Sequence, residues 1–144
     1  MTNINKSLKL LNSDLAETKK WFLDRLQELR TSVHIYTHLD ADGLSSGAIL
    51  GKALYRENIP FQISVLRQLE REEIDKIVNK TQETKSILIF SDFGSGQYLE
   101  LIQKLKNEKG NYPFLILDHH LPQNISNKND EKIKEIYKIR DHGI

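Results

Sequence analysis

Apolar residues at Leu8, Leu11, Leu15, Phe22, Leu26 and Leu29 recur at three- or four-residue intervals, with one double step across Thr18. That period puts them on one face of a helix and predicts helix over the first thirty residues. Asp14 followed by Glu17 has the form of a capping box, so a break into two helices near Asn12 is compatible with the pattern. The stripe is expected to pack on the domain that follows, with a partner helix as the alternative. After Arg30 the period shortens. "SVHIYTH", "FQISVL" (Phe61 to Leu66), "SILIFSD" (Ser86 to Asp92) and "PFLILD" (Pro113 to Asp118) read as short strands. Helical spacing separates them, at Ile49, Leu50, Ala53 and Leu54, then at Ile74, Ile77 and Val78, then at Tyr98, Leu101, Ile102 and Leu105. Strands alternating with helices imply right-handed crossovers and a parallel sheet. Near-continuous apolar runs suit strands covered on both faces. The expected fold is α/β: a parallel β-sheet with helices on both faces over residues 31–144, preceded by an N-terminal helical segment over residues 1–30. Ser126 to Arg140, with Ile133, Ile136 and Ile139 spaced by three, fits either a short helix or an edge strand.

Composition narrows the chemistry. The 144 residues make one domain. Lys plus Arg number 21 and Asp plus Glu 20, a net charge of +1, which argues against nucleic-acid binding through bulk positive charge but leaves room for a local basic groove. There is no cysteine, so disulfides and thiolate metal sites are excluded. The N-terminus lacks a cationic start followed by an apolar run, and no apolar stretch is long enough to span a bilayer. A soluble, cytoplasmic protein with no membrane partner is expected.

Three clusters of acidic residues and histidines follow three of the four strands. His38, Asp40 and Asp42 follow the first, Asp92 ends the third, and Asp118, His119 and His120 end the fourth. Open parallel sheets bind ligands at the carboxyl ends of their strands, near the reversal of strand order. Convergence of three clusters there outweighs what each suggests alone: a turn at Asp40–Gly43, a helix cap at Asp92, and surface histidines at 119 and 120. Alternation across a tight turn lets Asp40 and Asp42 point to different sides of a small site. Asp92 has two oxygens with which to bridge two ions, and His119 offers nitrogen to the second. Such a pair suits phosphoester hydrolysis, and many carboxylates favour Mn²⁺ or Mg²⁺. Without metal, crowded carboxylates are expected to have raised pKa values. Gly43 is expected to make the turn after Asp42, and Gly47 and Gly51 to let a helix approach the sheet closely. Gly94 and Gly96 flank Ser95 at a helix start, where free amides would suit an anion, or simply a loop-to-helix turn.

"THLDADG", "SDFGSGQ" and "LDHHLP" resemble the first three motifs of the DHH phosphoesterase superfamily, named for the triplet at Asp118, His119 and His120. Within it the chain resembles archaeal RecJ-like proteins, including those associated with the GINS replication complex, and "VLRQLEREEI" fits that group. The resemblance runs from about Val33 to Pro122. It implies Mn²⁺ or Mg²⁺ held by His38, Asp40, Asp42, Asp92 and His119, with Asp92 bridging. It implies His120 toward the phosphate or supporting the ligands, and Asp118 supporting the cluster from behind. Catalysis is then expected from Asp40, Asp42, Asp92, His119 and His120. The family also has a fourth motif with a further metal-binding aspartate, and a C-terminal substrate-holding domain. Asp141 and His142 stand too near the third motif to serve as the fourth, so the chain is expected to be a partial DHH domain. The implied activity is a metal-dependent phosphoesterase or exonuclease on single-stranded DNA or RNA, in DNA replication or repair. The alternatives are a non-catalytic module binding GINS-type partners and a small-nucleotide phosphodiesterase.

Overall fold

The computed structural model describes residues 2–107 and 110–120. In chain order these form α1 (Thr2–Leu29), β1 (Val33–His38), α2 (Ala41–Arg56), β2 (Phe61–Leu66), α3 (Arg71–Thr84) and β3 (Ile87–Ser91). A 3-10 turn (Ser95–Gln97), α4 (Tyr98–Leu105), β4 (Lys106–Asn107), β5 (Gly110–Asn111) and β6 (Phe114–Leu117) follow. Ser126 to Arg140, Asp141 and His142 lie outside the described residues. α1 belongs to a unit separate from the body that begins at Arg30.

α1 is unbroken at Asn12. No glycine or proline occurs between Thr2 and Leu29, so nothing in the backbone forces a stop there. Of its apolar stripe, Leu15 and Leu29 are exposed, and Phe22 and Leu26 are half-buried. No helix among the described residues is long and apolar enough to cross a membrane.

The body is the expected α/β layer structure. Its sheet has the order β2-β1-β3-β6 with every pair parallel. Tyr36, Leu88, Phe90 and Phe114 on one face pack with Ile74, Ile77 and Val78 of α3 and Leu101 and Leu105 of α4. The other face carries α2, which buries Gly43, Gly47, Gly51 and Leu54. A side chain at Gly47 would press on Thr37, and one at Gly51 on Ile63 and Phe61, so these small residues set the close helix–sheet spacing. With both faces covered, every residue of β3 is buried.

The winding of the chain positions the site. From β1 it moves outward to β2, and from β3 it moves the opposite way to β6. The order therefore reverses between β1 and β3, where the carboxyl ends of open parallel sheets leave a crevice. β4 and β5, two residues each and antiparallel, were not legible in sequence, because a two-residue strand has no period.

Candidate metal centre

The ligand-type side chains sit at this reversal. His38 ends β1. Asp40 caps α2 from an extended backbone, and its Oδ1 accepts from the Gly43 N–H at 2.9 Å. Its other oxygen, Oδ2, lies 2.9 Å from His38 Nδ1, although that nitrogen has no aligned hydrogen-bond partner. Gly43 is required here. A Cβ at that position would fall on the His38 carbonyl oxygen. Thr37 Oγ1 and Ser46 Oγ both donate to the Gly43 carbonyl, at 2.5 and 3.0 Å, and Ser91 Oγ bonds Ser46 Oγ at 2.8 Å. This hydroxyl brace ties β1, α2 and β3 together behind the site.

Asp92 follows β3 with φ of +66°, a left-handed conformation that Asp tolerates better than most residues. Its N–H donates to the Leu117 carbonyl at 2.9 Å, fixing it against β6. It caps no helix: Gly94, at φ +109°, opens the 3-10 turn, and no side chain caps it. The carboxylate is 5% exposed and its two oxygens face two ways. Oδ1 lies 3.1 Å from His119 Nε2, and Oδ2 lies 3.9 Å from His38 Nδ1. Oδ2 is buried without a hydrogen-bond partner.

The Asp118 side chain is buried. Its Oδ2 accepts from the Ser95 N–H at 3.0 Å, and its Oδ1 accepts from the His120 N–H at 3.1 Å and meets His120 Nδ1 at 2.6 Å. The Ser95 amide, a candidate anion donor from sequence, is therefore occupied by an internal carboxylate. The third motif is in this way pinned to the second.

Two groups of three possible ligands result, each with its atoms within 4.8 Å: His38, Asp40 and Asp92, and Asp92, His119 and His120. Asp92 is common to both. Asp42, expected beside them, is exposed on the first turn of α2 and belongs to neither group.

The carboxylates do not shift together as expected from crowding. Burial, then the adjacent Asp40 charge, raises the Asp92 pKa above the usual carboxylate range. Asp40 moves down, held ionised chiefly by the Gly43 N–H. Burial pushes Asp118 up, but hydrogen bonds from His120 and Ser95 outweigh it and leave Asp118 lowered. The bond to Asp118 in turn raises His120. Local donors decide the sign for Asp40 and Asp118; for Asp92, with an oxygen lacking one, burial decides it and the like charge of Asp40 adds to it.

The DHH family, N-terminal domain, matches residues 32–141. The chain belongs to the DHH family. It is 43% identical over 90 residues to Uncharacterized protein MJ0831 of Methanocaldococcus jannaschii, a match covering 62% of this chain and 19% of that protein. RecJ in complex with Mn²⁺ from Thermus thermophilus superposes with a TM-score of 0.52 at 19% identity, over 86% of this chain and 16% of that one. A structure of exonuclease RecJ bound to manganese gives 0.52 at 19% identity, over 85% and 29%. At that identity the likeness is one of fold. The DHH chain thus spans less than a third of each of these relatives.

The DHH donor set of imidazole nitrogens and carboxylate oxygens suits a divalent cation, and the buried, unpartnered Asp92 Oδ2 is the kind of atom that a cation would satisfy. A cleft of about 380 Å³ opens onto His38, Asp92 and His120. Its other walls come from Arg67, Gln68 and Glu70 after β2, and from Phe93 and Gln97. Sequence reasoning passed over these residues as site components. Their signal was position: "RQLE" directly follows the carboxyl end of β2, on the same side of the sheet as the clusters.

Proposed function

We propose that this chain carries the metal-binding part of a DHH phosphoesterase that cleaves single-stranded DNA or RNA, in the manner of a RecJ-like exonuclease. The observation that carries this reading is the shared Asp92. One buried carboxylate presents one oxygen to the His38–Asp40 side and the other to the His119 side. That is the donor arrangement a pair of neighbouring divalent cations needs. His38, Asp40 and Asp92 would hold one ion, and Asp92 and His119 the other, with Mn²⁺ or Mg²⁺ as the candidates. Asp42, on the first turn of α2, would be recruited on binding. When bound, such ions supply Lewis-acid activation of water and neutralise charge on a phosphoryl oxygen.

The chain's own groups do the rest. His120, with Nδ1 taken by Asp118, keeps Nε2 for a phosphoryl oxygen, and the Asp118 bond favours its protonated, donating form. Arg67, on the wall of the cleft, supplies local positive charge that the net charge of +1 does not. Hydrolysis adds water across one P–O ester bond, leaving a phosphate on one side and a hydroxyl on the other. A scaffold that only docks GINS-type partners has no use for a buried carboxylate oxygen without a partner, so the catalytic reading is preferred. The size of the cleft keeps a small-nucleotide substrate as the second reading.

The test uses a protein containing this chain, Mn²⁺, and single-stranded DNA, single-stranded RNA and dinucleotides side by side. Asp92→Ala is expected to lower Mn²⁺-dependent cleavage at least about 100-fold, on the scale of losing a principal electrostatic group at a reacting centre. Undiminished cleavage by that variant would sink the proposal. Cleavage of dinucleotides alone would select the second reading.

A further inference from the structure

β2 is an edge of the sheet, and among the described residues nothing pairs with its outer side. Exposed edge strands are normally guarded by charge, proline or a bulge. β2 has none of these: "FQISVL" contains no charged residue and no proline, and it pairs with β1 in continuous register. Its phase follows from one hydrogen bond. The Val33 N–H donates to the Pro60 carbonyl at 2.9 Å, with Val33 opposite Phe61. In a parallel ladder that phase turns the backbone groups of Gln62, Ser64 and Leu66 toward β1. The N–H and C=O groups of Phe61, Ile63 and Val65 therefore face outward.

The side chains of those same residues lie on the α2 face, where Gly51 sits against Phe61 and Ile63. Ile63 and Val65 remain 38% and 49% exposed. Leu44 and Tyr55 share a helical stripe with Gly51, at i, i+7 and i+11, and both are exposed as well. The backbone edge left unpaired among the described residues is thus flanked by an apolar margin.

We propose that the chain forms a twofold dimer through antiparallel pairing of β2 with the β2 of a second copy, centred on Ile63. The outward groups are self-complementary about that residue. Turned antiparallel, Ile63 pairs with the partner's Ile63, Phe61 with the partner's Val65, and Val65 with the partner's Phe61. Each is a pair that exchanges both N–H···O bonds. A one-residue slip would set outward-facing groups against inward-facing ones. Both apolar margins then fall on one side of the joined sheet. No charge within either strand meets a like charge, and a net charge of +1 adds little repulsion between copies. The contact is isologous and closes at two copies, with the four strands of each protomer continuing into one sheet.

The absence of cysteine makes the register testable. Ile63→Cys places two cysteines across a hydrogen-bonded pair, about 5.5 Å apart at Cα, within disulfide reach. Under mild oxidation this variant is expected to give a cross-linked dimer, whereas Ile49→Cys, more exposed but on the outer face of α2, is not. Sedimentation equilibrium of the unmodified chain is expected to show a reversible monomer–dimer equilibrium based on the 16.8 kDa chain. Val65→Pro removes only an outward N–H from each copy and keeps the ladder to β1. It is expected to weaken the dimer roughly 30-fold, the effect of losing two hydrogen bonds. Ile63→Lys, with folding checked by circular dichroism, should do the same through charge. A strict monomer at all concentrations, an open-ended oligomer, or a dimer indifferent to both substitutions would overturn the proposal.

Discussion

At the scale of single residues, two buried polar groups behave in opposite ways. Asp92 has an oxygen with no donor and a left-handed backbone. His34, on β1 away from the cluster, is fully served: its ring bonds Ser64 Oγ at 2.8 Å and the Tyr36 hydroxyl at 3.1 Å, and it stacks on the Tyr36 ring. Burial, with the nearby Lys80 charge, lowers the His34 pKa from 6.5 to about 4. The neutral ring is the form that the fold accepts. Between these values the unfolded chain binds the extra proton, so stability rises with pH across the window and is lost as pH falls from about 6.5 to about 4. The loss from this one group is at most about 3 kcal/mol. Urea melts at pH 7 and pH 4.5 are expected to show a smaller difference for His34→Gln than for the parent. An equal difference would place the acid sensitivity in other groups.

At the scale of elements, the first motif depends on how closely α2 starts against β1. Asp40 is at once a helix cap and a candidate ligand: one oxygen accepts from the Gly43 N–H and the other faces His38. The contact has no room for a side chain at residue 43. Gly43→Ala must therefore lift the first turn of α2 or displace His38, at about 1–3 kcal/mol for overpacking. Titration calorimetry is expected to show Mn²⁺ affinity lowered at least about tenfold in this variant, as for other changes that disturb the support of metal ligands. Gly96 is the control, since nothing lies within 4 Å of a Cβ built there. Gly96→Ala should bind Mn²⁺ as the parent does. Equal affinity in both variants would mean that the close approach of α2 does not set the site.

At the scale of the whole molecule, one topological event assembles the site. The reversal of winding between β1 and β3 brings residues 38 and 40 to residue 92, and β6 brings residues 118–120 alongside. An ion that bound this assembly and not the unfolded chain would stabilise the fold by about 2.7 kcal/mol at a concentration 100 times its dissociation constant. Thermal melts are expected to shift upward with Mn²⁺. Asp92 sharpens the test. Its raised pKa means that the fold disfavours its ionised form, so its contribution to metal-free stability falls as pH rises through the carboxylate range. Asp92→Asn keeps the shape, tolerates the left-handed backbone and removes the charge. Without metal at neutral pH it should melt higher than the parent, and its Mn²⁺ shift should be smaller. A lower metal-free melting temperature with an undiminished Mn²⁺ shift would contradict the shared-ligand reading.

The order of elements was legible along the chain because strand and helix periods are local. The four apolar runs became the four parallel strands, and the residues that end them became the rim of the site. The first-motif turn and the small face of α2 were also legible, because glycine at those spacings has few other uses. Other features needed the folded chain. No local signal distinguishes Asp42 from Asp40, and both are exposed, yet only Asp40 sets one oxygen on the Gly43 N–H and the other beside His38. Ser95 looked like a free amide until Asp118, 23 residues away, filled it. Arg67, Gln68 and Glu70 became cleft walls only once β2 lay beside β1. The signs of the carboxylate pKa shifts depended on which backbone N–H each oxygen reached. Periodicity and turn chemistry act over a few residues and are written in the sequence. Burial, shared oxygens and hydrogen-bond partners arise between distant segments, and only the tertiary structure decided them.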